Sequence, residues 1–171
     1  MVDTWRLRQK AVGARRPFQS RSAAVNDGFQ TAFLSHSHKD RDLALGLQAM
    51  LLEAGWRVYL DWQDEKMPDQ PNEETAARIV EKINENRWFL MLATPASLKS
   101  LWCPWEVGIA HNVKDHDTMY IVMTRDVDGR LHGTEFYHLY RRIALPANCD
   151  RLYWARRSDK ASHSLEGLNR V

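Results

Sequence analysis

The residues best suited to chemistry lie together in one short stretch, Leu101-Trp102-Cys103-Pro104-Trp105-Glu106. A carboxylate beside indole rings is partly desolvated, so the pKa of Glu106 should rise. Aromatic faces stack on flat heterocycles, and the combination therefore suits a nucleobase or nicotinamide ligand. A structural interpretation stays open, because Pro104 is well placed as the first residue of a helix and acidic residues are favoured in that first turn.

Several other kinds of site lack their sequence signals. The chain has no GxGxxG or GxxxxGK[ST] motif, which argues against classical dinucleotide dehydrogenases and P-loop NTPases. It also has no GxSxG elbow, so an α/β-hydrolase is unsupported. His36 and His38 are close in sequence, but the other histidines are scattered. We therefore predict no metal site and no cofactor.

Length and composition indicate a globular protein with one main domain. The 171 residues are enough for a proper core, and 44% of them are hydrophobic. Cys103 and Cys149 form neither a disulfide framework nor a CxxC motif, which favours a reducing, cytoplasmic location. No apolar run approaches the roughly 18 residues that span a bilayer, so we expect no membrane partner, and we predict no nucleic-acid partner.

Charge is unevenly distributed along the chain. Residues 1–28 hold six Lys or Arg residues against two Asp residues, whereas the remainder is mildly acidic. The segment lacks the apolar stretch of a secretory signal. We therefore divide the chain into a basic N-terminal arm, residues 1–28, and an α/β domain, residues 29–171.

Apolar runs and helical periodicities alternate along residues 29–171. Five stretches are predicted as strands: Thr31–Ser35, Trp56–Trp62, Trp88–Ala93, Met119–Met123 and Arg151–Trp154. Helices are predicted between and after them, including one that begins at Pro104, a short one over Phe136–Arg142 and a closing one over Ser162–Leu168. The run Trp88–Ala93 is apolar throughout, which is typical of a strand covered on both faces.

This alternation predicts a doubly wound α/β fold with a five-stranded parallel sheet. The flavodoxin-like strand order 2-1-3-4-5 is the commonest for five units, and it puts the switch point between the first and third strands. Ligands bind in the crevice beyond the carboxyl ends of those strands. The segment that contains Glu106 follows the third strand, so the topology alone directs it to the crevice.

Three motifs together resemble the Toll/interleukin-1 receptor (TIR) domain family. They are Phe33-Leu34-Ser35-His36-Ser37-His38-Lys39-Asp40, Val58-Tyr59-Leu60-Asp61, and the WxxxE spacing of Trp102 and Glu106. The similarity runs from about Thr31 to Trp154 and implies the flavodoxin-like sheet. Many bacterial TIR domains cleave NAD+ at the nicotinamide–ribose bond, so the resemblance implies an NAD+ glycohydrolase or ADP-ribosyl cyclase.

The resemblance also implies roles for individual residues. Glu106 matches the catalytic glutamate of the family, and Trp102 matches the tryptophan that lines the nicotinamide pocket. The other substrate-binding candidates border these two: Phe33, Ser35, His36, Asp61 and Trp62. Asp61 and Trp62 begin a loop that helps family members assemble. The family often has a glycine in that loop, whereas residues 63–71 contain none.

The resemblance further implies that NAD+ is a substrate rather than a cofactor. It implies self-association on activation and a separate effector protein that senses an ADP-ribose-type signal, as in bacterial anti-phage defence. Two other functions stay open: a non-catalytic TIR scaffold that acts by homotypic association, and an enzyme similar to nucleoside deoxyribosyltransferases, which use one glutamate as a covalent nucleophile.

Overall fold

The computed structural model describes residues 1–12, 28–68, 70, 72–132, 139–146, 149, 151–155 and 163–165. These residues contain one mainly parallel sheet of eight strands with helices on both faces. The strands are β1 (Val2–Asp3), β2 (Gln30–Ser35), β3 (Trp56–Tyr59), β4 (Trp88–Ala93), β5 (Met119–Arg125), β6 (Arg141–Ala144), β7 (Tyr153–Ala155) and β8 (His163–Ser164).

The parallel part of the sheet has the order β3-β2-β4-β5, which continues through β6, β7 and β8. This confirms the α/β class and the predicted order of the first four strands. Ala32 pairs with Trp88 and Phe89 pairs with Met119, so β4 lies between β2 and β5. Every residue of β4 is buried, as expected for a parallel strand covered on both faces.

The far side of the sheet differs from the prediction. The fifth parallel strand is β6, which pairs with β5, whereas β7 and β8 are antiparallel. The predicted strand Arg151–Trp154 overlaps this antiparallel β7. The predicted helix Phe136–Arg142 is wrong at its end, since Arg141 begins β6; residues 136–138 lie outside the described residues. The closing helix is wrong at His163–Ser164, which form β8, and residues 166–168 also lie outside.

Five helices lie among the described residues, together with short 3-10 turns at His38–Asp40, Asp61–Gln63 and His116–Thr118. The helices are α1 (Thr4–Ala11), α2 (Arg41–Glu53), α3 (Glu73–Glu85), α4 (Pro95–Leu98) and α5 (Trp102–Val113). Alternate strand residues point to opposite faces, so the core forms two layers. Leu34 and Leu90 pack with α1 and α2, whereas Phe33, Phe89 and Met91 pack with α3 and α5.

The first residues of the basic segment are part of this packed structure. Val2 pairs with Thr124 at one end of β5, and α1 packs against α2. A Cβ atom at Gly46 would lie only 1.8 Å from the Leu7 carbonyl oxygen, so the close approach of α1 requires glycine there. The division at residue 28 stays a prediction, because residues 13–27 lie outside the described residues. No described helix is long and apolar enough to cross a membrane.

Candidate active site at the carboxyl edge of the sheet

Helix α5 carries the two residues that the sequence singled out most strongly. It begins at Trp102, two residues before the predicted start at Pro104. Trp102 and Glu106 therefore share one continuous helix at an i, i+4 spacing, which puts them on the same face. Glu106 lies in the second helical turn rather than the first. The helix dipole acts mainly within the first turn, so helix capping does not account for this carboxylate.

Glu106 is buried, with an exposed fraction of only 6%. Its Oε2 atom has no hydrogen-bond partner among the described residues. Burial raises the pKa of Glu106 to about 7, although the neighbouring Ser35 hydroxyl acts in the opposite direction. Near neutral pH the carboxyl group is therefore divided between its neutral and ionised forms, and it responds to any charge placed beside it.

The Ser35 hydroxyl and the Cys103 thiol both interact with the carboxyl group of Glu106. The Ser35 hydroxyl also contacts the sulfur of Met91, with 3.3 Å between Oγ and Sδ. Burial, followed by the charge of Glu106, raises the pKa of Cys103 to about 11. The thiol therefore stays protonated near neutral pH, and it is unsuited to act as a nucleophile.

His36 follows β2 and is held by both of its ring nitrogens. Nδ1 lies 3.0 Å from the Leu34 carbonyl oxygen, to which it donates, and Nε2 accepts a hydrogen bond of 2.9 Å from the indole N–H of Trp62. Burial lowers the pKa of His36, more than the nearby Asp61 raises it. This imidazole is neutral and joins the segment after β2 to the segment after β3.

Asp61 and His38 are hydrogen-bonded to each other beside the same two segments. Nε2 of His38 lies 2.8 Å from Oδ2 of Asp61, and Oδ1 of Asp61 accepts a 2.9 Å hydrogen bond from the backbone N–H of Trp62. Burial alone would raise the pKa of Asp61, but the hydrogen bond from His38 and the nearby imidazoles lower it. The same hydrogen bond raises the pKa of His38.

His38 was not among the residues predicted for the site. The signal that could have identified it is topological. His36 and His38 follow β2, Asp61 follows β3, and the carboxyl ends of neighbouring parallel strands meet at one edge of a sheet. A histidine and an aspartate at adjacent strand ends are therefore a candidate pair. The spacing of apolar residues in the sequence gives no sign of such a pair.

The aromatic candidates fall into two groups. Trp102 is half-buried and meets Trp105 edge to face, with 5.4 Å between ring centroids; Trp62 is half-buried too, and the Arg41 guanidinium lies 5.2 Å from its ring. Phe33 instead is 1% exposed and stacks against two core rings, those of Tyr59 and Phe89. Its contribution to the site is therefore through packing behind Ser35.

The loop after β3 is fixed through Asp64 rather than through a glycine turn. The Tyr59 hydroxyl donates a 2.8 Å hydrogen bond to Asp64, and Arg78 of α3 pairs with the same carboxylate at 3.0 Å. Whether the loop forms an assembly contact stays a prediction. Within the described ranges no group of three or more His, Cys, Asp or Glu residues is arranged to hold a metal ion.

Comparisons with known proteins agree with the geometry. A family profile of the TIR domain matches residues 32–151. A protein of Bacillus cereus (strain MSX-D12), described as "Probable 3' cyclic ADP-D-ribose synthase ThsB'", is 32% identical over 114 residues. The matched region is 66% of this chain and 59% of that protein, so the match covers less than two thirds of the relative's length.

Proposed function

Because this chain belongs to the TIR domain family, we propose that it is an enzyme that cleaves NAD+ at the bond between nicotinamide and ribose. Glu106 is the proposed catalytic residue. The observation that carries the proposal is the buried carboxylate whose Oε2 has no hydrogen-bond partner among the described residues. An unpaired polar group in the interior destabilises the protein, and such a group is explained when a ligand supplies the missing partner.

One carboxylate is enough for this reaction. Ordinary glycosidases need a second carboxyl group to protonate an oxygen leaving group. The nicotinamide of NAD+ is already a pyridinium cation and leaves as a neutral molecule, so it needs no acid. The ribose becomes a cation similar to an oxocarbenium ion, and a negative charge held nearby stabilises it. Glu106 supplies that charge and accepts hydrogen bonds from the ribose hydroxyls.

The pKa of Glu106 suits a cationic substrate. With a value of about 7, a large share of the free protein carries a neutral carboxyl group at neutral pH. A pyridinium ring that binds beside Glu106 favours the ionised form, since an opposite charge nearby lowers a carboxyl pKa. Trp102, one turn away on the same face, is the proposed stacking partner of the ring. Ser35, His36, Asp61 and Trp62 complete the proposed binding site.

The description of the Bacillus relative supports a cyclic product. After nicotinamide departs, attack by water gives ADP-ribose, whereas attack by a hydroxyl or ring nitrogen of the same molecule gives a cyclic isomer. We propose cyclisation as the main outcome, with the product acting as a signal to a separate effector in anti-phage defence. Self-association on activation is part of the proposal, so the enzyme should be assayed at high concentration and with a crowding agent.

The test is mass spectrometry of the products from NAD+ with wild-type protein, Glu106→Gln and a matched control, Glu74→Gln. Glu74 is exposed in the first turn of α3. We expect nicotinamide and a cyclic ADP-ribose isomer from wild type and control, and a loss of roughly 100-fold or more in Glu106→Gln, as for removal of one electrostatic stabiliser.

Three results would contradict the proposal. NAD+ left intact by an associated wild-type protein would favour the scaffold function. Equal turnover by wild type and Glu106→Gln would show that Glu106 is not the catalytic residue. Turnover of deoxynucleosides without NAD+, through a trapped glycosyl-enzyme, would favour the deoxyribosyltransferase alternative.

A further inference from the structure

A second pair of titratable groups, His38 and Asp61, lies at the same carboxyl edge of the sheet as Glu106. The His38 side chain is 63% exposed, whereas that of Asp61 is only 17% exposed. The two are 2.8 Å apart, and the charge of Glu106 is among the causes that raise the pKa of His38. An accessible imidazole therefore lies against a largely buried carboxylate, at the edge of the sheet where the segments after β2, β3 and β4 meet.

We propose that His38, oriented by Asp61, is the general base that removes the proton from the hydroxyl group that captures the ribosyl cation. This inference rests on the proposed function and adds a step to it. Glu106 acts on the departure of nicotinamide, and the Asp61–His38 pair acts on the acceptor.

The chemistry of capture requires a base. When nicotinamide leaves, the C–N bond breaks and its electron pair stays with the neutral ring. The acceptor oxygen, from water or from a ribose hydroxyl of the same molecule, then forms a C–O bond to the same carbon. Its O–H bond breaks, and the proton must go to a neighbouring group. The overall reaction therefore gives nicotinamide, one ADP-ribose product and one proton, with no oxidant or reductant.

The hydrogen bonds orient His38 for this task. Nε2 is the nitrogen that faces the Asp61 carboxylate, so it carries the hydrogen, and Nδ1 keeps a free electron pair in the neutral ring. Asp61 is itself fixed by the backbone N–H of Trp62. A carboxylate that holds one imidazole nitrogen and leaves the other to act as base is the arrangement of the Ser-His-Asp triads.

The neighbouring groups are poorly suited to the same role. Both ring nitrogens of His36 already have partners, Leu34 and Trp62. Cys103 is buried with its pKa raised to about 11. The charged groups that act on His38 are Asp61 and Glu106, which favour its protonated form, and Arg41, which opposes it. His36 is the other titratable ring beside it, with 6.3 Å between centroids.

The test compares wild type with His38→Gln and with a control, His116→Gln. A glutamine at position 38 can still donate to Asp61 but has no basic nitrogen. His116 precedes β5 and therefore lies at the opposite edge of the parallel sheet. Two rates are measured: capture, as cyclic plus hydrolysed product, and exchange, as incorporation of labelled nicotinamide into NAD+. Exchange needs no proton removal, so it reports the Glu106 step alone.

We expect the ratio of capture to exchange to fall roughly 100-fold in His38→Gln, the lower range for general base catalysis. Exchange itself should change little, and His116→Gln should match wild type. In His38→Ala, added imidazole should restore part of the capture rate. The base role is overturned if wild type captures and His38→Gln keeps the same ratio. Failure of wild type to cleave NAD+ at all would overturn the proposed function, and the base role with it.

Discussion

Helices α3 and α5 begin in opposite ways. At the start of α3, the Asn72 side chain accepts a 2.9 Å hydrogen bond from the backbone N–H of Thr75, and the Thr75 hydroxyl accepts one from the N–H of Asn72. Glu73 and Glu74 follow in the first turn, exposed to water. This is a self-sufficient helix start, in which each polar group has a local role.

At the start of helix α5, the polar groups do not all have such local hydrogen-bond partners among the described residues. Leu101 precedes it with an exposed fraction of 90%, and the first N–H groups rely on the Ser100 hydroxyl. Glu106 is buried one turn later with an unpartnered oxygen. Helix α3 is therefore built for stability, whereas α5 accepts a local destabilisation at the position where a ligand is proposed. Such sites commonly trade stability for activity.

The largest expected effect on stability comes from Glu106→Gln. The pKa of Glu106 rises from 4.5 to about 7 on folding, so its contribution to stability is greatest below pH 4.5 and is lost as the pH rises to 7. Glutamine is neutral throughout. Urea unfolding at pH 8 should therefore show the variant to be more stable than wild type by about 3 kcal/mol.

Two comparisons check that result. At pH 5 the difference between Glu106→Gln and wild type should shrink to below about 1 kcal/mol. Glu74→Gln should instead lose less than about 1 kcal/mol at both pH values, because it removes only a helix-dipole interaction. A Glu106→Gln variant that is no more stable than wild type at pH 8 would mean that α5 has no destabilised carboxylate.

The second expected effect is on the pH dependence of catalysis. In the proposed mechanism the free enzyme needs an ionised Glu106, so kcat/KM for nicotinamide release should fall about tenfold between pH 8 and pH 6 for a pKa near 7. Glu74→Gln should keep this profile. If kcat/KM does not change across this pH range, the reaction does not depend on the ionisation of Glu106.

The sequence predicted the parts of the fold where burial leaves a continuous apolar pattern. Trp88–Ala93 is the clearest example, and it fixes the centre of the sheet. Strand β6 was missed because Arg141 and Arg142 give it no such pattern. The structure explains the arginine at position 141: its guanidinium lies 4.7 Å from the ring of Trp154 and pairs with Asp117 at 2.6 Å.

The sequence also predicted only those parts of the candidate site that lie within one short segment of the chain. Glu106 and Trp102 stood out through their residue types and spacing. The predicted start of α5 at Pro104 is two residues too late, because the helix already includes Trp102. The His38–Asp61 pair depends on a side-chain contact between two loops that are 23 residues apart in the sequence, and no local pattern encodes that contact.

A third prediction concerns the start of α3. Asn72→Ala removes the side-chain acceptor of the cap and should lower the free energy of unfolding by about 1 kcal/mol. Asn72→Asp keeps an acceptor and should stay close to wild type. NAD+ cleavage per folded molecule should be unchanged in both, in contrast to Glu106→Gln. Thermal or urea unfolding and an assay of nicotinamide release check these expectations. A loss of activity in a folded Asn72→Ala protein would contradict the assignment of stability to α3 and activity to α5.

The smallest expected effect lies within α5 itself, at Gly108. This residue is exposed in the helix interior, and a Cβ atom placed on it would meet no atom within 4 Å. Gly108→Ala should therefore stabilise the protein by about 0.8 kcal/mol through helix propensity, with unchanged NAD+ cleavage. Gly46→Ala is the contrasting control, because its Cβ would collide with the Leu7 carbonyl and should destabilise. If Gly108→Ala lowered the stability of the protein, as Gly46→Ala should, helix α5 would be strained at Gly108 as well. Glu106 would then not be the one position at which α5 departs from a purely structural helix.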